Sequence, residues 1–77
     1  MPIAFVLINT EMGAESEVLQ ILKKIADVKE IHLVYGVYDL IAKVESDSME
    51  RLRDIVTWKI RRSDKVRSTL TMMAAEG

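Results

Sequence analysis

Seventy-seven residues leave room for one domain, read as spanning 1–77, and a chain this short buries only about 60–65 % of the surface its unfolded form exposes. Eleven Lys and Arg against twelve Asp and Glu give a formal charge of −1, which lacks the basic excess of a dedicated nucleic-acid binder; no direct nucleic-acid contact is expected. With no cysteine and a single histidine, His32, neither a disulfide frame nor a Cys/His metal site is available, and no metal or cofactor is expected. The usual remaining remedy for a small scaffold that is 49 % apolar is self-association.

The N-terminus, Met1 to Ile8, has no basic leader and is too short to span a bilayer, so a soluble, cytoplasmic protein with no membrane partner is expected. Ile3 to Asn9 is an apolar run of strand length, as expected of a strand buried on both faces. Thr10-Glu11-Met12-Gly13 breaks it. From Glu15 to Ala26, Val18, Ile21, Leu22 and Ile25 recur at helical spacing, with glutamates in the first turn and lysines in the last. Lys29 to Tyr35 alternates as a strand, Gly36 permits a reversal, and Tyr38 to Glu45 is the next strand, with Leu40, Ala42 and Val44 sharing a face. Asp47 is the expected N-cap of a second helix, with Glu50 three residues on, and Met49, Leu52, Ile55, Val56 and Ile60 form its stripe. Lys65 to Ala74 is the last strand, with Val66, Leu70 and Met72 on one face and Arg67, Thr69, Thr71 and Met73 on the other.

This order is βαββαβ, a ferredoxin-like α+β fold: a four-stranded antiparallel sheet with both helices on one face and strands one and three central. The first strand carries Phe5 and Leu7 on one side and Ala4, Val6 and Ile8 on the other, yet helices cover only one of these. Ile41, with parts of Lys43, Thr69 and Thr71, is expected to complete an apolar patch of several hundred Å² on the uncovered side. Sheet-on-sheet dimerisation, as in a dimeric α+β barrel, is the simplest cover.

Tyr35-Gly36-Val37-Tyr38-Asp39 is the stretch best suited to specific chemistry. Its freed backbone offers amide N–H groups to a carboxylate and Asp39 to an ammonium, as a free amino acid requires. The plainer reading has Gly36 making the turn, Asp39 capping it and both tyrosines packing at a sheet edge. Thr69 and Thr71 offer two hydroxyls pointing the same way, although strand propensity explains them equally well. Lys59, Arg61, Arg62, Lys65 and Arg67 read as a helix C-terminus and a solvated strand end, without interleaved aromatics for stacking on bases. His32 reads as a partly buried structural histidine, Met72 and Met73 as core or interface filler.

With Gly36-Val37-Tyr38-Asp39 closing a hairpin, then a capped helix, then Thr69-Leu70-Thr71 in the final strand, the chain resembles the effector (RAM) domain of the Lrp/AsnC family of transcriptional regulators. The resemblance implies a homodimer built by facing sheets, dimers arranged in an octamer-like ring, and a free amino acid held at dimer–dimer contacts. Gly36, Val37 and Tyr38 would present backbone groups, Asp39 would engage the ligand or order the loop, and Thr69 and Thr71 would come from the final strand. Full-length relatives begin with a helix-turn-helix domain for which these residues have no room, so the likeness is to stand-alone members. Such a module is expected to modulate full-length regulators by mixed assembly and not to be an enzyme. Two alternatives stay open: a small cofactor-independent oxygenase or isomerase with a cleft between sheet and helices lined by Tyr38, Asp39 or His32, or a ligand-free structural oligomer.

Overall fold

Alternation along the chain sets the layers. In the computed structural model, which describes residues 1–75, β1 (Ile3–Thr10) is followed by α1 (Glu15–Lys23), β2 (Val28–Leu33), β3 (Leu40–Glu45), α2 (Met49–Asp54), a π-helical segment (Ile55–Arg61) continuing α2, and β4 (Val66–Met73). The last two positions of the 1–77 span lie outside the described residues. The sheet order is β2-β3-β1-β4 with every neighbouring pair antiparallel, the ferredoxin-like α+β arrangement.

Ala4, Val6 and Ile8 of β1 and Leu40, Ala42 and Val44 of β3 are all fully buried, against Val18 and Leu22 of α1, Leu52 of α2 and Ile55, Val56 and Ile60 of the π segment. Each large aliphatic side chain so placed contributes about 1.5–3 kcal/mol relative to exposure. The first strand is thus buried on one face only in the single chain. Its other face leaves Phe5 exposed and Leu7 half-buried.

Register decides what completes that open face. Leu7 lies opposite Ile41 on one side and Leu70 on the other; Phe5 lies opposite Lys43 and Met72. Directly opposed residues share a face. The uncovered apolar surface is therefore Phe5, Leu7, Ile41, Leu70 and Met72. Thr69 and Thr71, expected there, stand opposite Ile8 and Val6 on the helix side. A bulge adds a second correction: Asn9 pairs with Ser68 but Thr10 with Val66, so Val66 turns to the helix side and packs on the core instead of joining Leu70.

Helix boundaries shift for local reasons. The first helix stops at Lys23, short of Ala26, because Lys24 and Ile25 close tighter turns onto the carbonyls of Ile21 and Leu22. Ile21 is exposed, and Leu19 packs against the core in its place. The second helix is capped by Ser48 and not Asp47. Ser48 is extended (φ −146°, ψ 156°) and its hydroxyl accepts from the Arg51 N–H at 3.1 Å. The third helical position is then Arg51, which has no acceptor to return, so the capping box with Glu50 does not form.

An ion pair ties this helix to the sheet. Arg51 Nε donates to Asp27 Oδ2 at 3.1 Å, ahead of β2. The guanidinium holds the Asp27 carboxyl below its ordinary value of 3.8, against burial that raises it, with the neighbouring Ser46 hydroxyl adding to the lowering. At the other end of the molecule Lys65 Nζ meets Glu17 Oε1 at 3.0 Å.

Candidate functional site

The connection between β2 and β3 reverses the chain at Gly36, whose φ of +139° is a conformation reserved in practice for glycine. A Cβ there would meet nothing within 4 Å, so the requirement lies in the backbone and not in crowding. The base of the turn is stitched down. Val34 N–H donates to the Asp39 carbonyl at 2.9 Å, and Asp39 N–H donates to the Ile8 carbonyl at 3.0 Å. The tip is bare: Tyr35 is fully exposed and Val37 is 83 % exposed.

Asp39 does more than cap. Its Oδ2 accepts the Thr10 backbone N–H at 2.9 Å and lies 3.4 Å from the Thr10 hydroxyl, which also reaches the Glu11 carbonyl at 3.1 Å. Thr10 is the last residue of β1 and is 4 % exposed, so its N–H has few other acceptors. The carboxylate is therefore fixed through one oxygen. Among the described residues its Oδ1 accepts no hydrogen bond from the chain, which leaves it able to receive a cationic donor.

Gly36, Val37, Tyr38 and Asp39 form one continuous turn, with Tyr38 half-buried. Thr69 and Thr71 are not beside it within the chain. Thr69 is level with Ile8 and Leu40 but lies beyond β1, two strand spacings or about 10 Å from β3. Both hydroxyl-bearing residues are half-buried on the helix side. The turn and these threonines therefore make no common site by direct contact within one chain.

His32 is not partly buried as expected: its side chain is 64 % exposed on the open face, 3.5 Å from Glu30, with Lys43 also 3.8 Å from that glutamate. Met72 and Met73 are exposed and do not fill the core. The cleft imagined between sheet and helices is occupied by the aliphatic core, and His32 and Asp39 are not brought into it. Thr10 was missed as a site residue. Its bond to Asp39 spans 29 positions, and no local pattern announces it.

A βαββαβ domain presenting an anchored, uncovered glycine turn at one sheet end defines the class. A family model for the Lrp/AsnC ligand binding domain matches residues 3–76, and the chain belongs to that family. It is 35 % identical over 74 residues to an uncharacterized HTH-type transcriptional regulator of Pyrococcus furiosus, covering 92 % of this chain and 49 % of that protein. The chain spans about half the length of the curated relatives it matches. A hypothetical protein of Pyrococcus horikoshii superposes with a TM-score of 0.92 at 43 % identity, over 100 % of this chain and 93 % of that one. A Thermus thermophilus structure gives 0.93 at 32 %, over 100 % and 96 %. A Neisseria meningitidis transcriptional regulator, solved as its L-Met complex, shares the fold with a TM-score of 0.87 at 13 % identity, over 97 % of this chain and 50 % of that one.

Proposed function

We propose that this chain is an oligomeric regulatory module that binds a free amino acid where copies meet. One observation carries the reading: a turn fastened at its base through Asp39 and bare at its tip, in a chain that leaves Phe5, Leu70 and Met72 exposed on one sheet face. The open faces of two copies pack to form a homodimer, and dimers join in an octamer-like ring. At each dimer–dimer contact, backbone groups of Gly36, Val37 and Tyr38 meet the ligand carboxylate, the unengaged oxygen of Asp39 meets its ammonium, and Thr69 and Thr71 arrive from a neighbouring copy. The Neisseria meningitidis regulator that shares this fold over half its chain was solved as an L-Met complex, which accords with this class of ligand. The module acts in the cytoplasm, by mixed assembly with full-length regulators of its family, and performs no catalysis.

A thermal-shift screen over the common amino acids, on protein whose assembly sedimentation has established, tests this. A ligand at about 100 times its Kd adds about 2.7 kcal/mol of stability. At least one amino acid is expected to raise Tm, and Asp39→Asn to abolish the rise. Silence from all of them removes the sensing role.

A further inference from the structure

A second place on the chain has the makings of a ligand site. A groove of about 190 Å³ runs between the second helix and β4, lined by Arg53, Val56, Thr57, Arg61, Thr71 and Met73. Arg53 at the end of α2 and Thr57 and Arg61 in the π segment follow at intervals of four, and all three line the groove. Turns of π-helix are uncommon and gather at functional sites. Among the described residues neither guanidinium makes an ion pair, and no carboxylate lines the groove. Neither threonine hydroxyl is engaged in a hydrogen bond within the described chain, as the side-chain bonds all lie elsewhere.

These groups sort ligands by elementary chemistry. A guanidinium fork matches a carboxylate bidentately, Arg53 and Arg61 each bring one to this groove, and the hydroxyls can donate to a neighbouring oxygen. Val56 and Met73 supply an apolar wall that a bare inorganic anion would leave unused. An α-ammonium, by contrast, would face two positive charges with no counter-ion, which disfavours an amino acid here. The groove's volume of about 190 Å³ and its apolar wall of two side chains suit a small acid better than an extended one. We infer that this groove binds a short aliphatic 2-oxo acid, its carboxylate between Arg53 and Arg61, its oxo oxygen on Thr57 or Thr71, and its tail on Val56 and Met73. The site needs only this groove and does not rest on the amino-acid reading, with which it shares Thr71 alone.

Isothermal titration calorimetry of the full chain with 4-methyl-2-oxopentanoate, leucine and inorganic phosphate tests this on wild type, the double variant Arg53→Gln/Arg61→Gln, and Thr71→Val. Saturable binding of the 2-oxo acid at one per chain is expected, weakened about tenfold or more in the double variant, as loss of charge-assisted bonds requires. Phosphate should bind far more weakly, and any leucine binding should be unchanged by the arginine substitutions. The inference is overturned by any of three results: no saturable heat with the 2-oxo acid at millimolar concentration, phosphate matching it, or binding that survives the double substitution. Should the double variant fail to fold, Arg53→Gln and Arg61→Gln made singly decide the same point: one or both must weaken the 2-oxo acid, and undiminished binding in both overturns the inference.

Discussion

Asp39 commits one carboxylate oxygen to structure, and the proposed site uses the other. One oxygen holds the Thr10 N–H at 2.9 Å, joining the β2–β3 turn to the end of β1, while the other accepts no hydrogen bond among the described residues. Asp39→Ala leaves a buried donor unsatisfied and is expected to cost about 1–3 kcal/mol in urea unfolding. Asp39→Asn keeps an acceptor oxygen for Thr10 and should cost clearly less, so equal losses for the two would contradict the split of roles. Gly36→Ala, at a φ of +139°, is expected to lower stability by about 1–3 kcal/mol in the same assay, although nothing stands in the way of its methyl group.

Whole elements respond to their termini. Ser48→Ala removes the side-chain acceptor at the start of α2 and should cost about 1 kcal/mol, while Asp47→Ala should cost little by comparison. The Asp27–Arg51 pair makes the docking of that helix depend on acid. Because the folded pKa of Asp27 is depressed, its contribution is complete above the ordinary carboxylate value of 3.8 and disappears as pH falls through the lower folded value. Asp27→Asn should therefore lose stability at neutral pH and show a shallower decline below about pH 4 than wild type. Sequence periodicity reached the element order, the central placement of β1 and β3 and the buried face of β3, because strict alternation in Leu40–Glu45 admits one assignment. The face of β4 was harder. The extra residue opposite Thr10 reverses Val66 relative to Leu70, and a bulge leaves no trace in hydropathy. Of the site, the glycine turn was visible in the residues themselves, whereas its tie to Thr10 belongs to tertiary structure. Arg61 reads in the sequence only as part of a basic helix C-terminus, and Arg53 and Thr57 carry no reading of their own; their shared groove exists only once β4 packs beside the helix, although the spacing of four was a usable signal.

At the scale of the whole molecule, the helices cover one face of the sheet and leave the other apolar. Phe5, Leu7, Ile41, Leu70 and Met72 form its centre, and Glu30, His32 and Lys43 a charged margin on the β2 side. Burying such a patch against its own copy satisfies both surfaces at once, since an isologous contact presents the same residues twice. Leu70→Glu would place a carboxylate in the middle of that contact and is expected to release folded or partly folded single subunits, detectable as a fall in molecular mass by light scattering. The bare turn and the threonines of β4 lie on different sides of β1, and the proposed site draws on them from neighbouring copies. Sedimentation velocity of the wild-type chain at micromolar concentration tests this most directly. Discrete species at an even multiple of the subunit mass are predicted, and a well-folded, solitary subunit would contradict the account.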